Sequence, residues 1–134
     1  MRRLLVPILL LGASPLLAAT YAEKLGWKPG DRVVILHVDD AGMSHDSNVG
    51  ALKAIQEGVA NSMSVMMPCP WVTELVAALE EDPTLDAGLH LTLTAEWEQY
   101  CWGPLAGRDA APGLVDSRGC MWRSVPQVVG SATP

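Results

Sequence analysis

The chain has 134 residues, 49% of them hydrophobic and 18% charged, a composition that fits one small globular domain and excludes a disordered chain. Nine basic residues, scattered among fifteen acidic ones for a formal net charge of −6, supply no Lys and Arg cluster of the kind that phosphate binding needs. Nucleic acid is therefore excluded as a partner, and a neutral or small substrate is expected.

The first residues obey a rule of their own. Arg2 and Arg3 precede the apolar run Leu4 to Leu11, and the small residues Ala18, Ala19 and Ala22 follow, so residues 1–22 have the three parts of a secretory signal peptide. The run is broken by Gly12, Ser14 and Pro15 and is short for a bilayer span, which favours cleavage over anchoring. A secreted or periplasmic protein is expected, free of the membrane after cleavage, with residues 23–134 as its folded part.

From Asp31 onward two periodicities alternate, as in βαβ units on a parallel sheet. Arg32 to Val38, with Val33-Val34-Ile35-Leu36 at its centre, reads as a strand buried on both faces, and Asp39-Asp40-Ala41-Gly42 closes it. Ser47 to Gly58 then spaces Val49, Leu52, Ile55 and Val59 at near-helical intervals, with Ser44, Asp46 and Ser47 as candidate N-caps and Gly58 as a stop. Ser62 to Met67 is a second strand, closed by Pro68 and Pro70. A second helix follows, with Trp71, Leu75 and Leu79 on one stripe, Val72 and Val76 beside it, and Pro83 as terminator. Asp86 to Leu93 is the third strand, in which Leu89, Leu91 and Leu93 point one way and Gly88, His90, Thr92 and Thr94 the other.

Residues 95–123 lose periodicity and are rich in Gly, Pro and Trp, which marks a long surface loop where α/β proteins put binding residues. Ser124 is placed to cap a further helix. Cys101 and Cys120 lie in this loop and could bridge in an oxidising compartment; of the three cysteines, Cys69 being the third, at least one must be free or paired outside this segment, and three unpaired thiols are an equal alternative.

Functional groups of a parallel α/β sheet gather at the carboxyl ends of its strands. Asp39 and Asp40 fall at the end of the first strand, and two adjacent carboxylates there are costly to bury unless a cation meets them. His90, on the polar side of the third strand, could face the same mouth, and carboxylate with imidazole suits zinc and other divalent ions. A helix cap or a hydrogen-bonded strand histidine is the plain alternative for each. His37, inside the apolar run, is expected to be a packed core residue, and His45, in the loop after the acidic doublet, either approaches substrate or faces solvent. Trp97, Tyr100, Trp102 and Trp122 in or beside the long loop either stack on sugar rings or pin the loop in place.

The segment Val38-Asp39-Asp40-Ala41-Gly42-Met43-Ser44 with Asn48-Val49-Gly50, and the segment Gly88-Leu89-His90-Leu91-Thr92-Leu93-Thr94, resemble the DDxGxS…NxG and GLHLTLT motifs of the YdjC-like deacetylases, a family that includes the chitooligosaccharide deacetylases. Gly58-Val59 and Ser62-Met63-Ser64-Val65-Met66 also fit the family's second-strand region, so that the resemblance covers residues 32–94. It implies an α/β fold, the first part of a (β/α) barrel of the polysaccharide-deacetylase-like type, here truncated. It implies a divalent metal ion, Mg or Zn, held by Asp40 and His90, with Asp39 as the catalytic base, and an N-acetylated sugar or oligosaccharide as substrate. His45, Asn48, Trp97 and Trp102 are the expected substrate contacts. The family's second histidine ligand belongs to a later motif, and no histidine follows His90 in this sequence. Impaired metal-dependent deacetylation is one expectation; a non-catalytic, secreted sugar-binding or vestigial fragment of the same fold is the other. A homodimer is an allowed assembly.

Overall fold

The structure, a computed structural model, describes residues 18–132, so most of the expected signal segment, residues 1–17, lies outside the described residues. The described chain divides into two units, with the boundary between Val34 and Ile35. In the first, a single helical turn, α1 (Tyr21–Lys24), is closed by a capping box: Glu23 N–H donates to Thr20 Oγ1 at 3.3 Å, and Thr20 N–H donates to Glu23 Oε2 at 2.6 Å. The turn buries nothing.

The second unit runs β1 (His37–Ala41), α2 (His45–Gln56), β2 (Ser62–Val65), α3 (Val72–Glu81) and β3 (Ala87–Leu89), followed by an irregular segment with a short 3-10 turn at Pro112–Leu114 and a final helix, α4 (Val125–Ser131). All strand pairs are parallel, and the sheet order is β1-β2-β3. This is the α/β class expected from the alternating periodicities, with α2 and α3 serving as the crossovers.

The first strand is displaced from its expected place. Pairing begins at His37 opposite Ser62 and ends at Ala41 opposite Val65. The run Val33-Val34-Ile35-Leu36, expected to be buried on both faces, is instead exposed. A strand exists where a partner offers a ladder, and β2 offers one only from Ser62; before it, Leu36 is held by two hydrogen bonds to Asn61. His37 corrects a further expectation, for it is exposed and its Nδ1 lies 2.6 Å from Ser62 Oγ.

One face of the sheet is apolar. Ala41, Ala51, Met63, Val65 and Leu75 form a buried cluster, with Val38, Leu52, Ile55, Val72, Leu79 and Ala87 packed against it. Helix α2 turns Asn48, Ala51, Leu52 and Ile55 toward this core, spaced i, i+3, i+4 and i+7. Val49, expected on its apolar stripe, faces solvent at 49% exposure because Asn48 takes the inward position, and Val59, also expected there, lies past the end of the helix and is exposed. The start of α2 is a second capping box, with Ser44 and Ser47 exchanging side-chain to backbone hydrogen bonds. The third strand is shorter than expected, and the leucines at 89, 91 and 93 are exposed.

The aperiodic stretch is an ordered lobe with a core of its own. Met66, Cys69, Ala95, Trp102 and Met121 are buried together, flanked by Met43, Tyr100 and Cys101. A disulfide joins Cys101 to Cys120, 19 residues apart, and Cys69 is free and buried. Val115 and Met121 form an antiparallel bridge, Met121 N–H donates to Trp102 O at 2.8 Å, and Trp122 Nε1 donates to Gly113 O at 2.9 Å. A Cβ on Gly103 would stand 2.9 Å from Gly119 O, so this crossing of backbones admits only glycine.

Because the bridge closes a loop of 19 residues, loop-closure entropy assigns it about 3 kcal/mol. Replacing Cys101 and Cys120 together by Ser should lower the unfolding free energy by that order in a denaturant titration, and reductant should have the same effect on the unsubstituted chain. An unchanged midpoint would contradict this account of the lobe.

Candidate functional site

Side chains of a strand alternate between faces, so Asp39 and Asp40 in a regular β1 would point to opposite sides. Val38 already faces the core, and regular alternation would send Asp40 in beside it. The register prevents this: Val38 pairs with Met63 and Ala41 with Val65, so Asp39 and Asp40 together oppose Ser64 alone. This two-against-one bulge keeps Val38 and Ala41 on the apolar side and turns both carboxylates outward. Asp40 absorbs the distortion with φ of 61°, a left-handed conformation that costs of order 1 kcal/mol and that Asp tolerates better than most residues.

The outer face of the sheet thus carries His37, Asp39, Asp40, Ser62, Ser64 and His90. Ser64 is 8% exposed; its hydroxyl donates to Asp39 Oδ1 at 2.9 Å and lies 3.1 Å from His90 Nδ1. One hydroxyl has one proton, so when it serves Asp39 the Nδ1–H of His90 donates to Ser64 Oγ, and Nε2 keeps its lone pair. His90 Nδ1 is 3.8 Å from Asp40 Oδ1, and His37 Nε2 is 3.6 Å from Asp39 Oδ1. His90 reaches this place because β3 ends at Leu89 and its own N–H donates to Val65 O at 3.0 Å.

Turn and helix hold the doublet from behind. Gly42 has φ of 90° and lies buried against Met66 O and Val72 Cα, a position only glycine fills without strain. Its N–H donates to Asn48 Oδ1 at 2.7 Å, and Asn48 Nδ2 donates to Trp71 O at 2.9 Å and to Glu74 Oε2 at 2.7 Å. The expectation that Asn48 touches substrate therefore meets a different placement: at 1% exposure, with both its oxygen and its amide nitrogen engaged, it ties the end of β1 to α2 and α3. His45 is exposed in the first turn of α2, its Nδ1 2.7 Å from Glu74 Oε1 and its ring 5.5 Å from that of Trp71. Asn48 and His45 together hold the Glu74 carboxyl below its ordinary value.

Beside the doublet, burial and then the Asp40 carboxylate push the Cys69 thiol up to about 12, so it stays protonated and is no nucleophile at neutral pH. Of the aromatic candidates, Trp97 presents an exposed ring 5.7 Å from Trp102. Trp102, also expected to meet substrate, is instead 4% exposed, because its ring fills the lobe's core, and its Nε1 has no partner. A cavity of about 320 Å³ opens next to His90, bounded by Leu89, Leu91 and Leu93 on one side and by Pro104, Leu105 and Leu114 on the other.

A cation bound to both Asp40 Oδ1 and His90 Nδ1 at about 2.1 Å from each would span at most about 4.2 Å, and the separation of 3.8 Å lies within that reach. Binding at Nδ1 requires the imidazole proton to move to Nε2. Carboxylate with imidazole suits Zn, whereas Mg would draw on the carboxylates, yet among the described residues no group of three or more His, Cys, Asp and Glu side chains converges to hold a metal. Ser64 and Glu74 were not singled out in the sequence; the alternation Ser62-Met63-Ser64-Val65 marks Ser64 as outward-facing, whereas nothing local marks Glu74.

Two carboxylates, a hydroxyl and an imidazole thus gather at the carboxyl ends of parallel strands, where α/β sheets place their functional groups. Residues 33–133 match the family described as YdjC-like protein, and the chain belongs to that family. It is 37% identical over 105 residues to a carbohydrate deacetylase of Thermus thermophilus, covering 75% of this chain and 35% of that protein. It is 30% identical over 101 residues to a carbohydrate deacetylase of Thermoanaerobacter pseudethanolicus, covering 75% and 38%, and 28% identical over 64 residues to a chitooligosaccharide deacetylase of Yersinia enterocolitica, covering 48% and 25%. The chain spans a little over a third of the length of the first two.

Two outcomes follow. Asn48→Ala strands the Gly42 N–H and the Trp71 carbonyl, and should cost about 2 to 3 kcal/mol in a denaturant titration; a change within error would remove the tethering role. Glu74, ordinarily near 4.5, has a depressed folded pKa, so its contribution is complete above that value and lost as the pH falls through the folded one. Glu74→Gln should therefore lose less thermal stability than the unsubstituted chain between about pH 6 and about pH 3, and parallel losses would contradict the His45–Glu74–Asn48 link.

Proposed function

We propose that this chain is the N-terminal portion of a secreted, metal-dependent carbohydrate deacetylase, acting on the N-acetyl group of amino sugars or chitooligosaccharides and built on a (β/α) barrel. The observation that carries this proposal is the bulge in β1, which sets Asp39 and Asp40 on one face with Ser64 and His90, the two carboxylates and the imidazole each inside a family motif. The names of the relatives point to the same chemistry. The disulfide suits an exported protein.

Asp40 and His90 would hold the divalent cation, Mg or Zn. When bound, the cation supplies Lewis acidity toward the N-acetyl carbonyl and toward water. Asp39, oriented by the Ser64 hydroxyl, takes the proton from the attacking water as the new C–O bond forms and returns it to the sugar nitrogen as the C–N bond breaks, releasing acetate and a free amino sugar. The exposed ring of Trp97 offers a face on which a sugar can stack, and His45 is the remaining solvent-facing polar contact. Catalytic divalent sites take about three protein ligands, and the described residues bring two together, so turnover by these residues alone should be low.

Calorimetric titration with Zn²⁺ should show at least about a tenfold loss of affinity in Asp40→Ala and in His90→Ala, the usual scale for losing a ligand or its support. Unchanged affinity in both variants would end the metal assignment. In a chimera where residues 33–133 replace the matching third of the Thermus thermophilus relative, Asp39→Asn should keep Zn²⁺ and lose acetate release by about a hundredfold or more. Release at the unsubstituted rate would remove Asp39 from the base role.

A further inference from the structure

The turn between the acidic doublet and α2 is gripped from two sides. On the inner side stands Asn48. On the other, the phenol of Tyr100 donates a hydrogen bond to the backbone carbonyl of Met43, crossing 57 residues of sequence. The N–H of the same Met43 donates to Asp40 O at 3.3 Å, so the residue Tyr100 holds is itself hydrogen-bonded to Asp40. Tyr100 is part-buried against the lobe's core, its ring edge-on to Trp102 at 5.7 Å, and its neighbour Cys101 is fixed by the disulfide to Cys120.

We infer that Tyr100 is a positioning residue: its hydroxyl clasps the disulfide-closed lobe to Met43 and thereby holds Asp40 in the left-handed conformation that turns its carboxylate toward His90. Three features support this. Asp40 is the one non-glycine residue with positive φ among those described, and such a conformation persists only where its surroundings over-determine it. The glycine that follows the doublet is held by Asn48, and among the described residues the carbonyl of Met43 meets only the phenol, which adds to the Ser44–Ser47 capping box in restraining the far end of the turn. Burial, with Cys69 beside it, raises the Tyr100 pKa, so the phenol remains a donor throughout the neutral range. The sequence singled out Tyr100 only as a ring that stacks on sugar or pins the loop; the hydroxyl assigns it a task at the site.

The clasp stands independently of the deacetylase proposal, and only its effect on metal rests on that proposal. The test is Tyr100→Phe, which keeps the ring and removes the donor, in the whole 134-residue chain. Amide hydrogen exchange should show the Met43 N–H losing protection by about tenfold, the worth of one hydrogen bond, while amides of the second half of α2 keep theirs as internal reference. Mn²⁺ affinity, read by calorimetry, should fall in the same variant although neither ligand is changed. Unchanged Met43 exchange overturns the clasp. Faster exchange spread equally through α2 reduces Tyr100 to a general packing residue and overturns its positioning role. Faster exchange at Met43 with unchanged Mn²⁺ affinity overturns the link to Asp40, and a starting chain that takes up no Mn²⁺ sinks the metal proposal while exchange still decides the clasp.

Discussion

Two neighbouring residues of a β-strand cannot ordinarily share a face, and the site of this protein exists because β1 carries one residue too many for its partner. The extra residue lets Val38 and Ala41 both pack against Met63, Val65 and Leu75 while Asp39 and Asp40 both turn away. Burying a carboxylate unpaired among those side chains would cost far more than the order of 1 kcal/mol that the left-handed backbone of Asp40 stores. The bulge is therefore the lesser strain, and the neighbouring structure is arranged to keep it: Gly42 with its positive φ, Asn48 with its polar atoms spent on Gly42, Trp71 and Glu74, and Tyr100 on Met43.

Two cores meet the site from different directions. The core between the sheet and helices α2 and α3 fixes the strands, and with them Ser64 and the backbone of His90. The core of the lobe, built on Trp102, Met121, Met66 and Cys69 and closed by a disulfide, fixes Tyr100 and presents Trp97 at the surface. The polar face between them belongs to a YdjC-like protein, and its carboxylates, hydroxyl and imidazole are joined through Ser64, which touches both Asp39 and His90.

Much of the scaffold was legible in the sequence because its cause is local. The alternation of short β-rich runs with helical spacing gave three strands, two crossover helices and a parallel sheet, and Ser44 and Ser47 marked the start of α2. The displaced first strand was not legible from Val33-Val34-Ile35-Leu36, since a strand's limits depend on where its partner begins, and β2 begins at Ser62. The bulge was hidden for the same reason: two residues opposite one is a property of a pair of strands. Asn48 stood in a motif as an expected substrate contact, yet tertiary contacts made it the inward polar member of α2. Residues 95–123 looked structureless because disulfide, backbone bridge and aromatic packing order them without any period. The polar alternation Ser62-Met63-Ser64-Val65 did carry the position of Ser64, and the two motifs carried Asp39, Asp40 and His90.

The central claim is that the acidic doublet of β1 and the imidazole after β3 address one point in space. Paramagnetic broadening by substoichiometric Mn²⁺ in the ¹⁵N-labelled chain tests it directly. The account predicts that signals of Asp39, Asp40, Ser64 and His90 broaden together, ahead of those of Glu74 and Asp116. Broadening at the doublet that leaves His90 sharp, or broadening centred on another acidic residue, would contradict it.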